Sequence, residues 1–587
     1  MRRRIFITLA MILCFGIVCS AGSFACTGVY VGTEVSTDGT VIIARSSDFQ
    51  NVWGNHVTVT PRVEGKPGRT MPLSDDGEVQ IEIPQTTYHY TATPFFASTM
   101  EKFGLMNDAA ASSNEYGVAM TMAVTAFANP AALEADPYIE KGLTENTAAD
   151  LVICQSKTAR EAVEVLLGII DEYGSSESNI ALIADQKEAW YVEMYGGHQY
   201  AAVKLPADKV CVFGNEYSLE YLSDYEDSIV SADLLTLPEE KGFAVYGKGK
   251  KADELNLFAT YSGKEMNNNY CHMRTWIGHQ ILAPSLFHED YDIEAMYPLC
   301  FTPDKKVSIA DVCNIMRNRF EGTKYDPDKT GRIDMRVIGT DTALSVHALQ
   351  VYPDLPAEMS CVTWESSGPA IYGVFVPVSN AMTSVSSAYG KDQPASEAGV
   401  FDSENYPYYA FKDLSTRCVG PDNYKTYGAP VKKYWHAAEK GMFAAMPQVL
   451  EGAAELHAAG KEAEASEYIT GYCNSVQDHA FTDAVQLLND VTWTESADSN
   501  TMKLMRNPET HQTLNKERVL DPMEVSLDPS GYEAVPDIGA KAGQAAGSIA
   551  DPGSKAGIPV IPVLVVLLAL AVLLEMVALV RSRKRDR

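Results

Sequence analysis

The sequence lacks the short motifs that mark several common classes of hydrolase and metal site. It contains no C-x-x-C pair, no G-x-S-x-G and no H-E-x-x-H. Closely spaced cysteine pairs are typical of structural zinc sites, and the other two motifs are typical of serine hydrolases and zinc peptidases. The sequence therefore disfavours all three classes, and we expect neither a metal ion nor a cofactor.

A calcium site is disfavoured in the same way. Residues 326–331 read Asp-Pro-Asp-Lys-Thr-Gly, which resembles the first half of a calcium-binding loop. Such a loop carries a bidentate Glu at its twelfth position, where this sequence has Val337. The segment therefore lacks the ligand that would complete the site.

Cysteines are few and widely spaced. Of the eleven, Cys14 and Cys19 fall in an apolar leader, and nine remain from Cys26 onward. This spacing does not indicate a dense disulfide framework. Pairing among some of them outside the cytoplasm stays open, because spacing alone does not show which thiols meet.

Basic residues are also scarce outside the two ends. The whole chain carries a net charge of −30, to which residues 1–25 contribute +3 and residues 581–587 contribute +4, leaving −37 for residues 26–580. A region with this much negative charge repels a phosphate backbone, and we therefore do not expect nucleic-acid binding. With 46% hydrophobic residues over 587 positions, the chain is long and apolar enough to form a substantial core.

The N-terminal 25 residues have the pattern of a secretory signal peptide. Three arginines precede the apolar run Ile5 to Val18, and Ser23 and Ala25 supply small residues before the cleavage point. Cleavage after Ala25 would make Cys26 the first residue of the mature chain. The alternative is a lipoprotein signal that acylates Cys26, which normally has an aliphatic residue where Ser23 stands.

The C-terminal end predicts a membrane anchor. Residues 560–580 are almost entirely aliphatic and long enough to span a bilayer, and the tail 581–587 is basic. Basic flanks stay on the cytoplasmic side, so we expect the body outside the cytoplasm and the tail inside. Residues 534–557, rich in Ala, Gly, Pro and Ser, predict a flexible stalk between them.

The first residues after the leader predict a β-hairpin. Thr27 to Gly32 and Thr40 to Arg45 are β-prone runs joined by a turn-rich stretch that contains Asp38-Gly39. Antiparallel pairing about the middle of that stretch brings Cys26 opposite residues 46–48. We therefore expect Cys26 to lie beside Arg45 and Asp48.

The rest of the body predicts a mixed α/β domain over residues 26–533. Residues 434–490 are rich in Ala, Glu, Lys and Leu and predict two or three helices appended to the sheet region. A further helix is expected over 158–172, and the β-like runs fall at 117–124, 180–184, 189–194, 200–204 and 210–214.

A cysteine at the start of a mature chain has a nucleophile and a base in one residue. Its thiol attacks as the thiolate, and its free α-amine has a pKa of roughly 8. Arg45 would favour the thiolate, and Asp48 would accept a hydrogen bond from the ammonium. The alternative is an ordinary cysteine that happens to follow a cleavage site.

Several ordered blocks of sequence resemble the N-terminal-nucleophile cysteine dipeptidases of the dipeptidase A type. These enzymes are related to penicillin V acylases and bile salt hydrolases. The blocks cover most of residues 26 to about 480, although Gly28 stands where Ser or Thr is more usual. They lie at 26–32, 38–48, 114–119, 188–193, 197–198, 205–210, 214–216, 274–276, 321–326 and 362–364.

The resemblance implies a four-layer αββα fold of the α+β class and hydrolysis of dipeptides through a thioester on Cys26. It implies catalytic roles for Arg45 and Asp48 as electrostatic partners and for Asn215 as an oxyanion donor. Arg274 is expected as a second cation near the thiol. His198 is expected to be a hydrogen-bonded structural histidine, with substrate contact as the alternative.

Two other functions stay open on the sequence. The first is hydrolysis of N-acyl amides of the penicillin V or bile salt type by the same nucleophile. The second is a surface-displayed binding protein that has lost activity. The partners expected are a dipeptide or small amide and the membrane, and the sequence is compatible with a homo-oligomer.

Overall fold

The computed structural model describes residues 26–48, 53–106, 109–122, 124–263, 269–332, 336–392, 402–420, 423–495, 525 and 527–538. The predicted signal peptide, membrane span and basic tail, and all of the predicted stalk after Ile538, lie outside these residues. Within the described part of the chain, no helix combines the length and the apolar character needed to cross a membrane.

The described chain alternates strands and helices, with most strands in the first two thirds. The strands are β1 (Thr27–Val31), β2 (Val41–Asp48), β3 (Thr58–Thr60), β4 (Thr70–Pro72), β5 (Gln80–Glu82), β6 (Tyr90–Pro94), β7 (Ala109–Asn114), β8 (Ala119–Thr121), β9 (Asn179–Ala184), β10 (Ala189–Met194), β11 (Tyr200–Lys204), β12 (Val210–Phe213), β13 (Ser228–Val230), β14 (Ala343–Val351), β15 (Cys361–Ser367) and β16 (Val376–Ser379). The α-helices are α1 (Ala97–Phe103), α2 (Pro130–Ala135), α3 (Glu145–Ile153), α4 (Ala159–Tyr173), α5 (Leu237–Lys241), α6 (Leu257–Tyr261), α7 (His272–Leu282), α8 (Ile309–Met316), α9 (Pro327–Thr330), α10 (Pro407–Cys418), α11 (Ala429–Ala458) and α12 (Glu462–Glu495).

Two antiparallel sheets stack face to face and are covered by helices. One sheet has the order β12-β1-β2-β14-β15-β16, and the other has the order β13-β11-β10-β9-β8-β7-β6-β3. β2 and β14 of the first sheet pack on β7, β8 and β9 of the second. Helices α7, α8, α10 and α12 cover the outer face of the first sheet, while α3 and α4 cover that of the second. The predicted α+β class is confirmed, and the order of the layers is helix, sheet, sheet, helix.

Burial on both faces explains why the central strands are so apolar. Alternate residues of a strand point to opposite faces of its sheet. On β1, Val29 and Val31 join the core under the outer helices, whereas Tyr30 joins the core between the sheets together with Cys26. The nucleophile candidate therefore points into the layer between the two sheets.

The predicted elements of the body are found close to their expected positions. The hairpin forms as β1 and β2, and the later β-like runs form β8 to β12. Helix α4 begins after Thr158, whose side chain accepts a hydrogen bond from the backbone N–H of Glu161, and it ends at Gly174. The predicted helical region consists of the two long helices α11 and α12.

The C-terminal segment of the body is fastened to these long helices. The Tyr532 hydroxyl donates to Asp483 Oδ2 at 2.8 Å, and the Tyr468 hydroxyl donates to the carbonyl of Pro536 at 2.7 Å. A buried ion pair between Arg317 and Glu439, with N–O distances of 2.6 and 2.8 Å, joins α11 to the end of α8. The first residues of the predicted stalk, as far as Pro536, thus contact the body, and the stalk itself stays a prediction.

Candidate active site

Cys26 immediately precedes β1 and lies between two neighbouring segments of the sheet. β1 pairs with β2 so that Thr27 is opposite Ser46, which places Cys26 opposite Ser47. On the other side Gly28 is opposite Phe213, and continuing this register past the end of β12 places Cys26 opposite Asn215. Cys26 is buried, with 3% of its surface exposed. The expectation that the hairpin brings Cys26 beside residues 46–48 is confirmed.

Arg45 approaches the thiol from β2. Its Nη1 atom lies 3.9 Å from Cys26 Sγ, and its Nη2 atom donates to the carbonyl of Ala110 on β7 at 3.4 Å. Arg45 pairs with Gly28 on β1 and so points to the same face as Cys26. The guanidinium therefore lies between the sheets, and its position beside Cys26 agrees with the prediction from the hairpin.

The thiol itself is a weak acid in this setting. Burial raises the pKa of Cys26 to about 11, and the carboxylates of Asp48 and Glu145 add to the rise. The positive charge of Arg45 and the backbone N–H of Asp48 act in the opposite direction. The sulfur is consequently protonated at neutral pH and needs a base to become a nucleophile.

Asp48 is buried at the end of β2. Its Oδ2 atom lies 3.4 Å from Ser46 Oγ and 3.2 Å from Arg336 Nη2. Burial raises the pKa of Asp48 to about 6, although the charges of Arg336 and Arg274 oppose the rise. Among the described residues, no group donates a hydrogen bond to its Oδ1 atom. Asp48 Oδ1 can therefore accept a further hydrogen bond.

Asn215 binds the backbone nitrogen of Cys26. The backbone nitrogen of Cys26 donates to Asn215 Oδ1 at 2.7 Å. The amide Nδ2 of Asn215 donates to the carbonyl of Thr125 at 2.6 Å, which fixes the orientation of the side chain. One N–H group of the Asn215 amide thus donates to Thr125 and does not point to the thiol. The role of Asn215 as an oxyanion donor stays a prediction.

Arg274 binds the backbone carbonyl of Cys26. Its Nη1 atom donates to the carbonyl of Cys26 and, at 2.9 Å, to Thr27 Oγ1, while Nη2 donates to Asn215 Oδ1 at 2.8 Å. Gly214 leaves room for this arrangement, since a Cβ there would lie 2.7 Å from the carbonyl oxygen of Cys271 and 3.3 Å from the guanidinium. The expected second cation is present, but its hydrogen bonds go to the backbone and to Asn215.

The loop that carries Asn215 is fixed by a buried carboxylate. Glu193 on β10 accepts from the hydroxyls of Tyr191 and Tyr195 at 2.6 and 2.8 Å. It also accepts from the backbone N–H groups of Ser218 and Leu219 at 2.6 and 3.1 Å. The block 188–193 therefore acts on the site indirectly, by anchoring the loop that follows Asn215.

Behind Arg45 runs a chain of buried hydrogen bonds. His347, opposite Arg45 on β14, has its Nε2 atom 2.7 Å from Thr121 Oγ1 and its Nδ1 atom 3.2 Å from Ser345 Oγ. Ser345 Oγ lies in turn 2.9 Å from Glu365 Oε1. Burial raises the pKa of Glu365 to about 8. Burial also lowers the pKa of His347 well below its usual value, and the charge of Arg45 adds to this effect. At neutral pH both side chains are uncharged behind the guanidinium.

Three residues of this region were not predicted from the sequence. Arg336 comes from the loop before β14, and His347 and Glu365 come from β14 and β15. They lie more than 280 residues from Cys26 along the chain. The apolar residues around His347 and Glu365 were the one available signal, since every residue of β14 and β15 is buried and such runs place a charged residue inside a core.

Other candidates have structural roles. His198 donates its backbone N–H to Asp136 Oδ2 at 2.6 Å, and its Nδ1 atom lies 3.4 Å from Asp136 Oδ1. Asp328, from the calcium-like segment, accepts from the Arg319 guanidinium at 2.7 and 3.0 Å. In the part of the chain that the structure describes, no cluster of three or more His, Cys, Asp or Glu side chains is arranged to hold a metal ion.

The buried Cys26 thiol lies beside Arg45, and Asn215 and Arg274 hold the backbone of Cys26, an arrangement compatible with a cysteine peptidase. A family model described as Peptidase family C69 matches residues 25–436, and the chain belongs to this family. The predicted resemblance and the predicted class of enzyme are thereby confirmed.

Three relatives show the extent of the similarity. Probable dipeptidase B of Lactococcus lactis subsp. lactis (strain IL1403) is 29% identical over 411 residues, covering 69% of this chain and 82% of the relative. A probable dipeptidase of Salmonella dublin is 30% identical over 366 residues, covering 61% and 81%. Probable dipeptidase A of Streptococcus pyogenes serotype M1 is 27% identical over 376 residues, covering 60% and 74%.

Among solved structures, a mutant of the conjugated bile acid hydrolase from Clostridium perfringens matches 58% of this chain and 89% of its own. The sequence identity is 9% and the TM-score is 0.29, which is too low for the match to support an argument.

Proposed function

We propose that this chain is a dipeptidase of the N-terminal-nucleophile type, in which Cys26 becomes the first residue when residues 1–25 are removed. The main support is the way in which the backbone N–H and C=O groups of Cys26 are hydrogen-bonded. A strand residue normally exchanges its N–H and C=O with a neighbouring strand. At Cys26 both groups are bonded by side chains instead, the N–H by Asn215 and the C=O by Arg274. Such an arrangement holds the nitrogen in place even when it is no longer part of a peptide bond.

The free amine then supplies the base that the thiol needs. The amine accepts the proton of the Cys26 thiol, and the thiolate attacks the carbonyl carbon of the substrate. The C–N bond breaks, the ammonium returns the proton to the leaving amine, and a thioester remains. Water, deprotonated by the same amine, hydrolyses the thioester. Arg45 at 3.9 Å stabilises the thiolate, and Asn215 Oδ1 at 2.7 Å orients the amine.

The carboxylates near the thiol offer a dipeptide an interaction that an N-acyl amide lacks. The carboxylates of Asp48 and Glu145 act electrostatically on Cys26. A dipeptide has an α-ammonium group next to its scissile bond, whereas an acyl chain of the penicillin or bile salt type has no charge there. The two carboxylates attract the ammonium group of the first kind of substrate, whereas Arg45 beside the thiol repels it, so the preference for a dipeptide is inferred chiefly from the relatives. The probable dipeptidases among the relatives agree with this choice.

We propose further that the enzyme is secreted and tethered to the membrane. The leader 1–25, with small residues before Cys26, and the aliphatic stretch 560–580 with its basic flank support this placement. Secretion and catalysis then depend on the same cleavage, because removal of the leader creates the free α-amine of Cys26.

The decisive experiment is a dipeptide panel assayed on the purified full-length protein. N-terminal sequencing should begin at Cys26, and the panel should show amino-acid release that Cys26→Ala abolishes. Cys154→Ala, at a buried cysteine of α3's C-terminal end, is the matched control and should retain activity. Hydrolysis of N-acyl amides alone would favour the acylase alternative. A folded protein with a free Cys26 that hydrolyses neither kind of substrate would overturn the proposal.

A second variant tests the choice of substrate. Glu145→Gln should raise KM for dipeptides roughly fivefold, the effect of about 1 kcal/mol of lost attraction to the substrate ammonium. Glu164→Gln, an exposed carboxylate on α4, is the control and should leave KM unchanged. If Glu145→Gln leaves KM unchanged for every dipeptide, Glu145 does not bind the ammonium group.

A further inference from the structure

Two cysteines outside the catalytic centre lie in contact. Cys211 Sγ on β12 and Cys300 Sγ are 3.2 Å apart. Cys211 is buried and Cys300 is partly exposed. The sulfur atoms would have to move about 1 Å closer to reach the ~2.05 Å length of a disulfide bond.

The backbone around the pair has the geometry that a disulfide needs. Val210 and Phe301 exchange both of their backbone hydrogen bonds, at 2.9 and 3.0 Å. One step further in this antiparallel register, Cys211 and Cys300 face each other at a non-hydrogen-bonded position. At such positions the Cα atoms lie about 4.5 Å apart, within the range of about 4.4–6.8 Å found in disulfides. A bond can therefore form without moving the backbone.

The location connects this pair to the catalytic centre. β12 is an edge strand of its sheet, and its other neighbour is β1, where Tyr30 lies opposite Cys211. The segment at 300–301 covers that open edge. The chain between the two cysteines contains Asn215 and Arg274, which hold the nitrogen and the carbonyl of Cys26. A covalent link at this edge restrains the loop that positions the nucleophile.

We propose that Cys211 and Cys300 form a disulfide bond that fastens segment 300–301 to the edge strand β12. The oxidant is a disulfide donor, either a small molecule or a dithiol oxidase. The thiolate of the partly exposed Cys300 attacks the donor and forms a mixed disulfide, releasing one donor thiolate. The Cys211 thiolate then attacks Cys300 Sγ and releases the second donor thiolate. Two protons leave the cysteines, and two electrons reduce the donor to two thiols.

Peptide mapping tests the bond directly and does not depend on the substrate proposed above. The full-length protein, purified without reductant, is treated with oxidised glutathione, alkylated and digested with trypsin without reduction. Cys211 and Cys300 fall in the separate tryptic peptides 210–241 and 275–305, each with a single cysteine. We expect these two peptides to be recovered as one disulfide-linked species. Recovery of both peptides in alkylated form, from protein that was folded during oxidation, would overturn the proposal.

Thermal unfolding provides the second readout. A bond between residues 89 positions apart restrains a long loop of the unfolded chain. Reduction should therefore lower the Tm of the oxidised protein by about 5 °C. Cys300→Ser should unfold at the same temperature with and without reductant, while the control Cys154→Ala should keep the full shift. An equal shift in Cys300→Ser would assign the effect to another cysteine pair. Should Cys300→Ser not fold, the peptide map of the unaltered protein decides alone.

Discussion

The ring of Phe213 occupies the space that a side chain at position 28 would need. Gly28 and Phe213 are directly opposite on β1 and β12. A Cβ atom built on Gly28 would lie 2.3 Å from Cζ of that ring, which also packs edge-on against Tyr191. The departure at Gly28 from the Ser or Thr that is more usual in similar sequences therefore has a physical reason: the small residue makes room for a large one across the strand.

Gly28→Ala should destabilise the protein by about 1–3 kcal/mol, the usual cost of overpacking a core. Urea unfolding of the single and double variants measures this cost. In the Phe213→Ala background the same substitution should cost less, because the ring that it meets is gone. Gly168→Ala, where nothing lies within 4 Å of the added Cβ, is the control and should be neutral or stabilising. Equal costs of Gly28→Ala in both backgrounds would show that the two residues do not interact.

Asn215 can serve the reaction through its oxygen or through its amide hydrogens, and two substitutions separate these roles. Oδ1 accepts from Cys26 N, while Nδ2 donates to Thr125. Asn215→Asp keeps an acceptor and loses the donor, whereas Asn215→Ala loses both. If the oxygen orients the amine, Asn215→Ala should lower kcat/KM by about 10²–10³, and Asn215→Asp should lower it less. Equal losses in steady-state assays would instead support the predicted oxyanion donor.

Arg45 is expected to control the ionisation of the thiol. Its charge lowers the pKa of Cys26 against the effect of burial. Arg45→Met should therefore move the pH at which alkylation by iodoacetamide is half-maximal upward by about one unit, and Arg45→Lys should move it less. Arg160→Met removes an exposed arginine of α4 and serves as the control. An unchanged alkylation profile in Arg45→Met would contradict the electrostatic role.

Glu365 should make the folded state less stable as the pH rises. Burial raises its pKa in the folded protein to about 8, whereas the unfolded chain titrates near the ordinary value of about 4.3. The folded state therefore retains a proton that the unfolded state loses, and this contribution is complete below about pH 4.3. This contribution to the free energy of unfolding is lost progressively as the pH rises through 8, and the whole loss is on the order of 3–5 kcal/mol.

Glu365→Gln removes this titration and keeps a group that can donate a hydrogen bond. Free energies of unfolding measured between pH 5 and 9 should fall less steeply in the variant than in the unaltered protein. Glu164→Gln, at an exposed carboxylate of α4, is a surface control. Parallel curves for the unaltered protein and Glu365→Gln would show that Glu365 is ionised in the folded state at all of these pH values.

Local patterns predicted the parts of the site that are close in sequence. The hairpin of β1 and β2 follows from two β-prone runs and a turn, and its register places Arg45 and Asp48 near Cys26 within 22 residues of chain. The strands β9 to β12 and the helix α4 were equally visible, because period-two and helical patterns report burial locally. Asn215 and Arg274 were found by resemblance, since nothing in their own neighbourhoods marks them.

The hairpin that places Cys26 beside Arg45 and Asp48, and the class of enzyme, could be predicted from the sequence, because they depend on adjacent residues and on ordered blocks of similarity; the role of Cys26 as nucleophile stays a prediction. Only the tertiary structure decided what surrounds them. It brings Arg336, His347 and Glu365 into the centre, turns Arg274 toward the backbone of Cys26, and sets Cys211 against Cys300. Each of these contacts joins residues at least 80 positions apart, and such pairs are selected by the stacking of sheets and helices and leave no periodic signal in the chain.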